Sequence, residues 1–220
     1  MKLPQCSPTG IPHGIRRPPD ELVRARFDGR GCGNHTAQRS DRPMSVIQTL
    51  RVSLRELDFG DAEFILELLN EAGFIRFIGD KGVRTIADAR DYILQGPMDS
   101  YARNGFGLYA ACLRGTTNGE SAGTPIGICG LVRREGLSDP DVGFAFLSRY
   151  WSKGYAVESA AAVLAHARQT LNLSRIVAIT SADNRQSIAV LEKIGLKFER
   201  NIRLVDHSPE LKLFGLPPSA

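Results

Sequence analysis

Two stretches carry residue types at spacings suited to chemistry. Residues 149–161 read RYWSKGYAVESAA, and residues 184–196 read NRQSIAVLEKIGL. The first follows a strand-like run and opens a helical pattern at Gly154, which gathers several unsatisfied backbone N–H groups and the positive end of a helix dipole at one point. An anion, a phosphate above all, binds well there. A glycine lets the anion approach the backbone, and Ala156 is the smallest side chain that still favours helix. The phosphate-loop pattern GxxxxGK[ST] is absent. The second stretch reads as a short helix with Asn184 as its N-cap and Gly195 as its stop. Two loop-to-helix junctions facing one phosphate-bearing ligand are expected.

The elements that must position these motifs follow from hydrophobic period. Residues 49–57, TLRVSLREL, alternate Leu50, Val52 and Leu54 with polar residues, as a half-buried strand does. Residues 61–72 place Ile65, Leu68, Leu69 and Ala72 on one helical face, with Gly73 as a stop. Thr85 is expected to cap a helix from Ile86 through Ile93, which Gly96 and Pro97 interrupt before it resumes towards Arg103. Residues 105–113 and 125–133 read as strands joined by a hairpin rich in Gly, Thr, Asn and Ser, and residues 139–147 as a third strand ending at the first motif. A helix over 154–171 stacks Ala156, Ala160, Val163, Leu164 and Ala167 on one side. A strand over 174–181, the second motif helix and two closing strands over 197–205 and 211–216 complete the order. It predicts one mixed α+β domain over residues 44–220.

Residues 1–43 differ in kind, with six of the chain's 12 prolines, five glycines and no sustained period. They are expected to form a disordered tail, because such a segment buries too little apolar area to offset its ordering entropy. Met44 stands directly before the strand-like run and is a candidate internal start. The tail holds eight basic and four acidic side chains of the chain's 28 and 24, so the net charge of +4 resides there and the remainder is balanced. The folded part therefore offers no electrostatic footprint for a polyanion, and no nucleic-acid partner is expected beyond a contact of the basic tail with a polyanion. No apolar run reaches the ~20 residues of a membrane span, and no secretory signal pattern is present, so a cytoplasmic protein is expected. The four cysteines form no CxxC pair and sit at no metal-like spacing from the four histidines; no metal is expected, and Cys112 and Cys129 read as small buried hydrophobes. No residue pattern assigns an oligomeric state.

The succession IGICGLV, DVGFAFLSRYWSKGYAVESA and SADNRQSIAVLEKIGLKFE resembles the GNAT N-acetyltransferase superfamily, in the branch that includes the ribosomal-protein-alanine N-acetyltransferases. The resemblance implies a GNAT-like mixed, mostly antiparallel central sheet flanked by about four helices. It implies acetyl-CoA as co-substrate and a primary amine, small molecule or peptide N-terminus, as acceptor. The family fingerprint Gln/Arg-x-x-Gly-x-Gly/Ala falls on Trp151, Ser152, Lys153, Gly154, Tyr155 and Ala156, with Trp151 in place of the charged residue. Backbone amides here would hold the pyrophosphate. The strand ending at Phe146 and Leu147 would pair with the pantetheine arm, and a bulge in it would aim an N–H at the thioester carbonyl. Asn184 matches the asparagine that contacts the pantetheine in the family.

Acyl transfer from a thioester to an amine must deprotonate the nucleophile and protonate the leaving thiolate. Candidate bases are Asp141 on the third meander strand, Glu158 in the first turn of the motif helix and Glu56 at the end of the first strand. The family tyrosine that protonates the thiolate, seven residues after the asparagine, is replaced by Leu191, and Ser187 on the same helix becomes the substitute. Loss of that acid leaves open a second class, an inactive acyl-CoA-binding sensor or interaction module. The acceptor pocket is expected to be shaped by residues 70–84, where Arg76, Lys81 and Arg84 suggest tolerance of an acidic group, and by the loop before the last strand.

Overall fold

The computed structural model describes residues 45–116, 119–205 and 208–216. The expected tail over 1–43, Met44, Cys6 and Cys32 lie outside them. The chain opens with a hairpin of β1 (Ser45–Gln48) and β2 (Val52–Arg55). Leu50 therefore sits in a turn and is 86% exposed rather than half-buried, while Val52 and Leu54 are in the core. The alternation continues past the end of the strand because side-chain period alone does not mark a turn.

A 3-10 turn (Phe59–Asp61) leads into α1 (Ala62–Leu69), whose Ile65, Leu68 and Leu69 are buried as the period predicts. The helix does not run on to Ala72. It ends at Asn70, and a second short helix, α2 (Ala72–Phe77), begins with Gly73 inside it. Thr85 caps α3 (Ile86–Ile93) through a complete capping box with Asp88, each side chain accepting from the other's backbone N–H. One π turn (Leu94–Met98) carries Pro97 through without ending the helix, which resumes as α4 (Asp99–Asn104).

The remaining elements are β3 (Leu108–Leu113), β4 (Pro125–Val132), β5 (Asp141–Phe146), a 3-10 turn (Ser148–Tyr150), α5 (Tyr155–Gln169), β6 (Val177–Thr180), α6 (Arg185–Lys193), β7 (Lys197–Ile202) and β8 (Leu211–Gly215). Among the described residues they form one eight-stranded sheet in the order β1-β2-β3-β4-β5-β6-β8-β7. Every neighbouring pair is antiparallel except β5 with β6. β8 enters between β6 and β7, so the two closing strands are neighbours but the later one is the inner. This is the mixed, mostly antiparallel α+β fold expected. Cys112 and Cys129 are buried in β3 and β4.

The entry to α1 rests on a buried ion pair. Arg55 grips Asp61 with both terminal nitrogens at 2.7 Å, and Asp61, 5% exposed, also accepts from Asp58 N–H. Arg55→Ala leaves that carboxylate buried with one partner and is expected to lower the unfolding free energy in urea by about 3–5 kcal/mol. Leu50→Ser at the exposed turn is expected to change it by under about 0.5 kcal/mol.

Candidate active site

β4 and β5 pair without interruption from Gly127 opposite Phe146 to Val132 opposite Asp141. The bulge expected in β5 is not there; its hydrogen bonds to β4 are regular throughout. Leu147 N–H donates to Ile126 C=O at 3.0 Å. Bonded and non-bonded pairs alternate in an antiparallel ladder, so the N–H and C=O groups of Val142, Phe144 and Phe146 point away from β4, towards β6. Yet β6 meets β5 at a single pair, Asp141 with Val177, where Val177 N–H donates to Pro140 C=O at 3.0 Å. Beyond it the strands part. The gap belongs to a cavity of about 950 Å³ lined by β5, by Ile179 and Thr180 of β6, by α2, α3 and α4, by the first turn of α5 and by α6 along its length.

Asp141 closes the bottom of this fork. Its Oδ1 accepts from Ile179 N–H at 3.1 Å, filling the place of the missing ladder bond, and its Oδ2 accepts from Arg134. The carboxyl is 1% exposed. Burial raises its pKa from 3.8 to about 6 against the opposing pull of Arg134 and the Ile179 N–H. Both oxygens are engaged, so Asp141 lines the cavity as the wedge of the fork rather than as an idle base.

At the mouth of the fork the chain turns through Ser152 (φ 59°) and Gly154 (φ 84°) into α5. Gly154 occupies the N-cap position, where no side chain caps the helix. The first amides of α5 thus have no side-chain acceptor and are available to an anion. Trp151, Ser152, Gly154, Tyr155 and Ala156 line the cavity with Phe146, Asn184 and Ser187. Asn184 Oδ1 accepts from Ser187 N–H at 3.0 Å and caps α6, leaving the amide nitrogen as a donor. Structural and binding roles of Asn184 are thereby compatible. Leu191, 1% exposed, is buried one turn beyond Ser187 and lines the same cavity.

Three expected site residues are not brought to the cavity. Leu147 is fully buried and its N–H serves the β4 ladder. Lys153 is exposed, its ammonium stands over the Tyr150 ring at 5.3 Å, and its carbonyl accepts from Arg51. Glu158 is committed elsewhere: it accepts from Thr49 Oγ1 at 2.6 Å, Arg51 N–H at 2.8 Å and Arg51 Nε at 2.7 Å, stapling α5 to the β1–β2 turn. Partial burial pushes its pKa up, but these hydrogen bonds outweigh it and the carboxyl sits below its ordinary range. Glu56 is exposed and away from the cavity lining. Arg76 and Arg84 are paired with Asp183 and Asp80, so only Lys81 of the expected basic cluster faces the cavity. Spacing missed Arg134, Arg51 and the Trp151 N–H bond to Phe146 C=O at 2.6 Å. Among the described residues no three His, Cys, Asp or Glu side chains gather as metal ligands, and no helix is long and apolar enough to cross a membrane.

A forked sheet with an unpaired strand edge running into an uncapped helix N-terminus can hold an extended ligand that has amides along its arm and an anionic group at its end. The chain matches the family model of the acetyltransferase (GNAT) domain over residues 51–197. It belongs to the GNAT acetyltransferase family. It is 28% identical over 153 residues to the uncharacterised N-acetyltransferase YnaD of Bacillus subtilis (strain 168), covering 70% of this chain and 83% of that protein. The solved GNAT-family acetyltransferase from Bacillus anthracis superposes with a TM-score of 0.63 at 24% identity, over 77% of this chain and 96% of that one. RimL, a ribosomal L7/L12 α-N-protein acetyltransferase solved in complex with coenzyme A, does so with a TM-score of 0.63 at 14% identity, over 76% and 94%. At these identities the solved structures share the fold with this chain.

The wedge reading makes a signed prediction. The folded chain holds the Asp141 proton more tightly than the unfolded chain does, so the stability this carboxyl contributes is fully present below about pH 4 and is lost as pH rises through about 6. Between pH 4 and 7, wild type is expected to lose about 2–3 kcal/mol relative to Asp141→Asn in paired urea titrations. A pH-independent difference would show that Asp141 does not titrate in this window.

Proposed function

We propose that this chain is an N-acetyltransferase that moves an acetyl group from acetyl-CoA to a primary amine by direct attack in a ternary complex, with residues 44–220 as the catalytic domain in the cytoplasm. The observation that carries the reading is the open edge of β5 leading into the uncapped N-terminus of α5, with Asn184 beside it. In this reading the amides of residues 152–156 hold the pyrophosphate, and the backbone groups of Phe144 and Phe146 pair with the pantetheine amides. The Asn184 amide nitrogen donates to the same arm.

The acceptor is a protein N-terminal α-amine or a small-molecule amine; the fold shared with RimL, an α-N-protein acetyltransferase, supports placing the chain in the ribosomal-protein N-acetyltransferase branch. An α-amine of pKa about 7.7–8.0 is already partly deprotonated at neutral pH, so a base with both oxygens engaged, as Asp141 is, does not impede the reaction. Ser187 stands on the cavity wall as the group that passes a proton to the departing thiolate. Positioning supplies most of the rate.

The test is thiol release from acetyl-CoA with a panel of small amines and of peptides differing in their first residue, with acetylated product confirmed by mass. Tight CoA binding with no thiol released by any amine would overturn the enzyme reading. Gly154→Val forces a β-branched residue to φ 84° and is expected to raise the KM for acetyl-CoA at least about tenfold. Ser187→Ala is expected to lower kcat by about a hundredfold with little change in that KM.

A further inference from the structure

The corner between α1 and α2 touches the loop after β5 at three points. Glu67 pairs with Arg149. Glu71 accepts from Ser148 N–H at 3.0 Å and from its hydroxyl at 3.3 Å. Gly73 faces the Trp151 indole so closely that a Cβ there would lie 2.5 Å from the ring. Trp151 is fixed at its other side, where Nε1–H donates to Phe146 C=O at 2.6 Å. That carbonyl belongs to the edge of β5 that faces the fork, while Phe74, Phe77 and Ile78 of the α2 segment line the same cavity.

We infer that Trp151 is a positioning residue that couples the two substrate sites: its indole braces the α2 wall, where the acceptor would sit, against the β5 edge that would receive the pantetheine arm. The inference rests on the acetyl-CoA reading above. Trp151 is 37% exposed, yet its ring is held at the N–H by Phe146 C=O and its edge lies against the Gly73 backbone, so it cannot shift without disturbing one of these two contacts. The Phe146 C=O already accepts from the indole N–H, so a pantetheine amide that adds a second bond to this oxygen must share it with the indole, and the ligand's arrival is transmitted through the ring to Gly73 and α2. The absence of a side chain at residue 73 is what lets the ring reach both sides.

The chain has a single tryptophan, so the brace can be observed directly. The full chain is titrated with CoA, following Trp151 emission and measuring Kd by calorimetry. Emission is expected to change on saturation. Gly73→Ala, which overpacks the contact, is expected to weaken CoA about tenfold and to raise the KM for the amine. In a Trp151→Ala background the added methyl has room, so Gly73→Ala should then have no further effect. An unchanged CoA affinity in Gly73→Ala, a full tenfold loss that persists without the indole, or emission unmoved by saturating CoA would each overturn the coupling while leaving the enzyme reading intact. Failure of wild type to bind CoA would overturn the enzyme reading itself. Should Gly73→Ala lose cooperative unfolding, Glu71→Gln takes its place. It weakens the clamp without adding volume, and an emission response to CoA identical to wild type would then count against the brace.

Discussion

A β-sheet cannot be pried open without stranding backbone donors and acceptors, and burying them unpaired is costly. The fork between β5 and β6 is the feature on which the rest of this structure depends, and the chain meets its cost with side chains. On β6, the Ile179 N–H is taken by Asp141; on β5, the Phe146 carbonyl is taken by Trp151. The first solution puts a carboxylate in the interior, and Arg134 offsets that burden. What remains of the β5 edge faces the cavity, ready for water or for the amides of an extended ligand.

The starts of α3, α5 and α6 are treated differently. α3 has a complete capping box, in which protein atoms take the N–H groups of Thr85 and Asp88. α6 is capped by Asn184 through one oxygen only, so the same side chain keeps a donor in the cavity. α5, the longest helix, has no cap at all and begins at a left-handed glycine. Helices generally do not leave this end open when a serine or aspartate would stabilise it by about 1 kcal/mol. In the proposed reading this open N-terminus at the mouth of the cavity receives the pyrophosphate, and its orientation is secured from behind by Glu158, which ties the first turn to Thr49 and Arg51.

Local signals in the sequence were sufficient for most of the fold: the capping box at Thr85, the buried stripe of α1, the meander of β3 to β5 and the strand, loop and helix around Gly154. Gly73 shows where local reading fails. A glycine after an apolar stripe has the appearance of a helix stop, yet here it lies inside α2, where the Trp151 ring leaves no room for a side chain. Glu158 fails in the same way, since its partners lie more than a hundred residues earlier in the chain and no spacing rule reaches them. Leu147 alternates correctly with its neighbours but belongs to the β4 side of the strand. Its role depends on register, which is fixed by pairing and not by composition.

The exchange of the family tyrosine for Leu191 also has a geometric meaning. Residues four apart lie on one helix face about 6 Å apart along the axis, so Ser187 sits one turn before Leu191 on the same side of α6. Both positions line the cavity, but the later one is a buried apolar side chain with no proton to give, while the earlier one carries a hydroxyl. In the proposed reaction, a proton donor at Ser187 is therefore displaced by a turn towards Asn184 and the helix start. A serine hydroxyl is a far weaker acid than a phenol, so it would relay a proton from water rather than supply one from its own equilibrium. An enzyme built this way depends more on holding the amine and the thioester in line than on the strength of its acid, which is consistent with a loop clamped by Glu67, Glu71 and Trp151 and a fork wedged by Asp141.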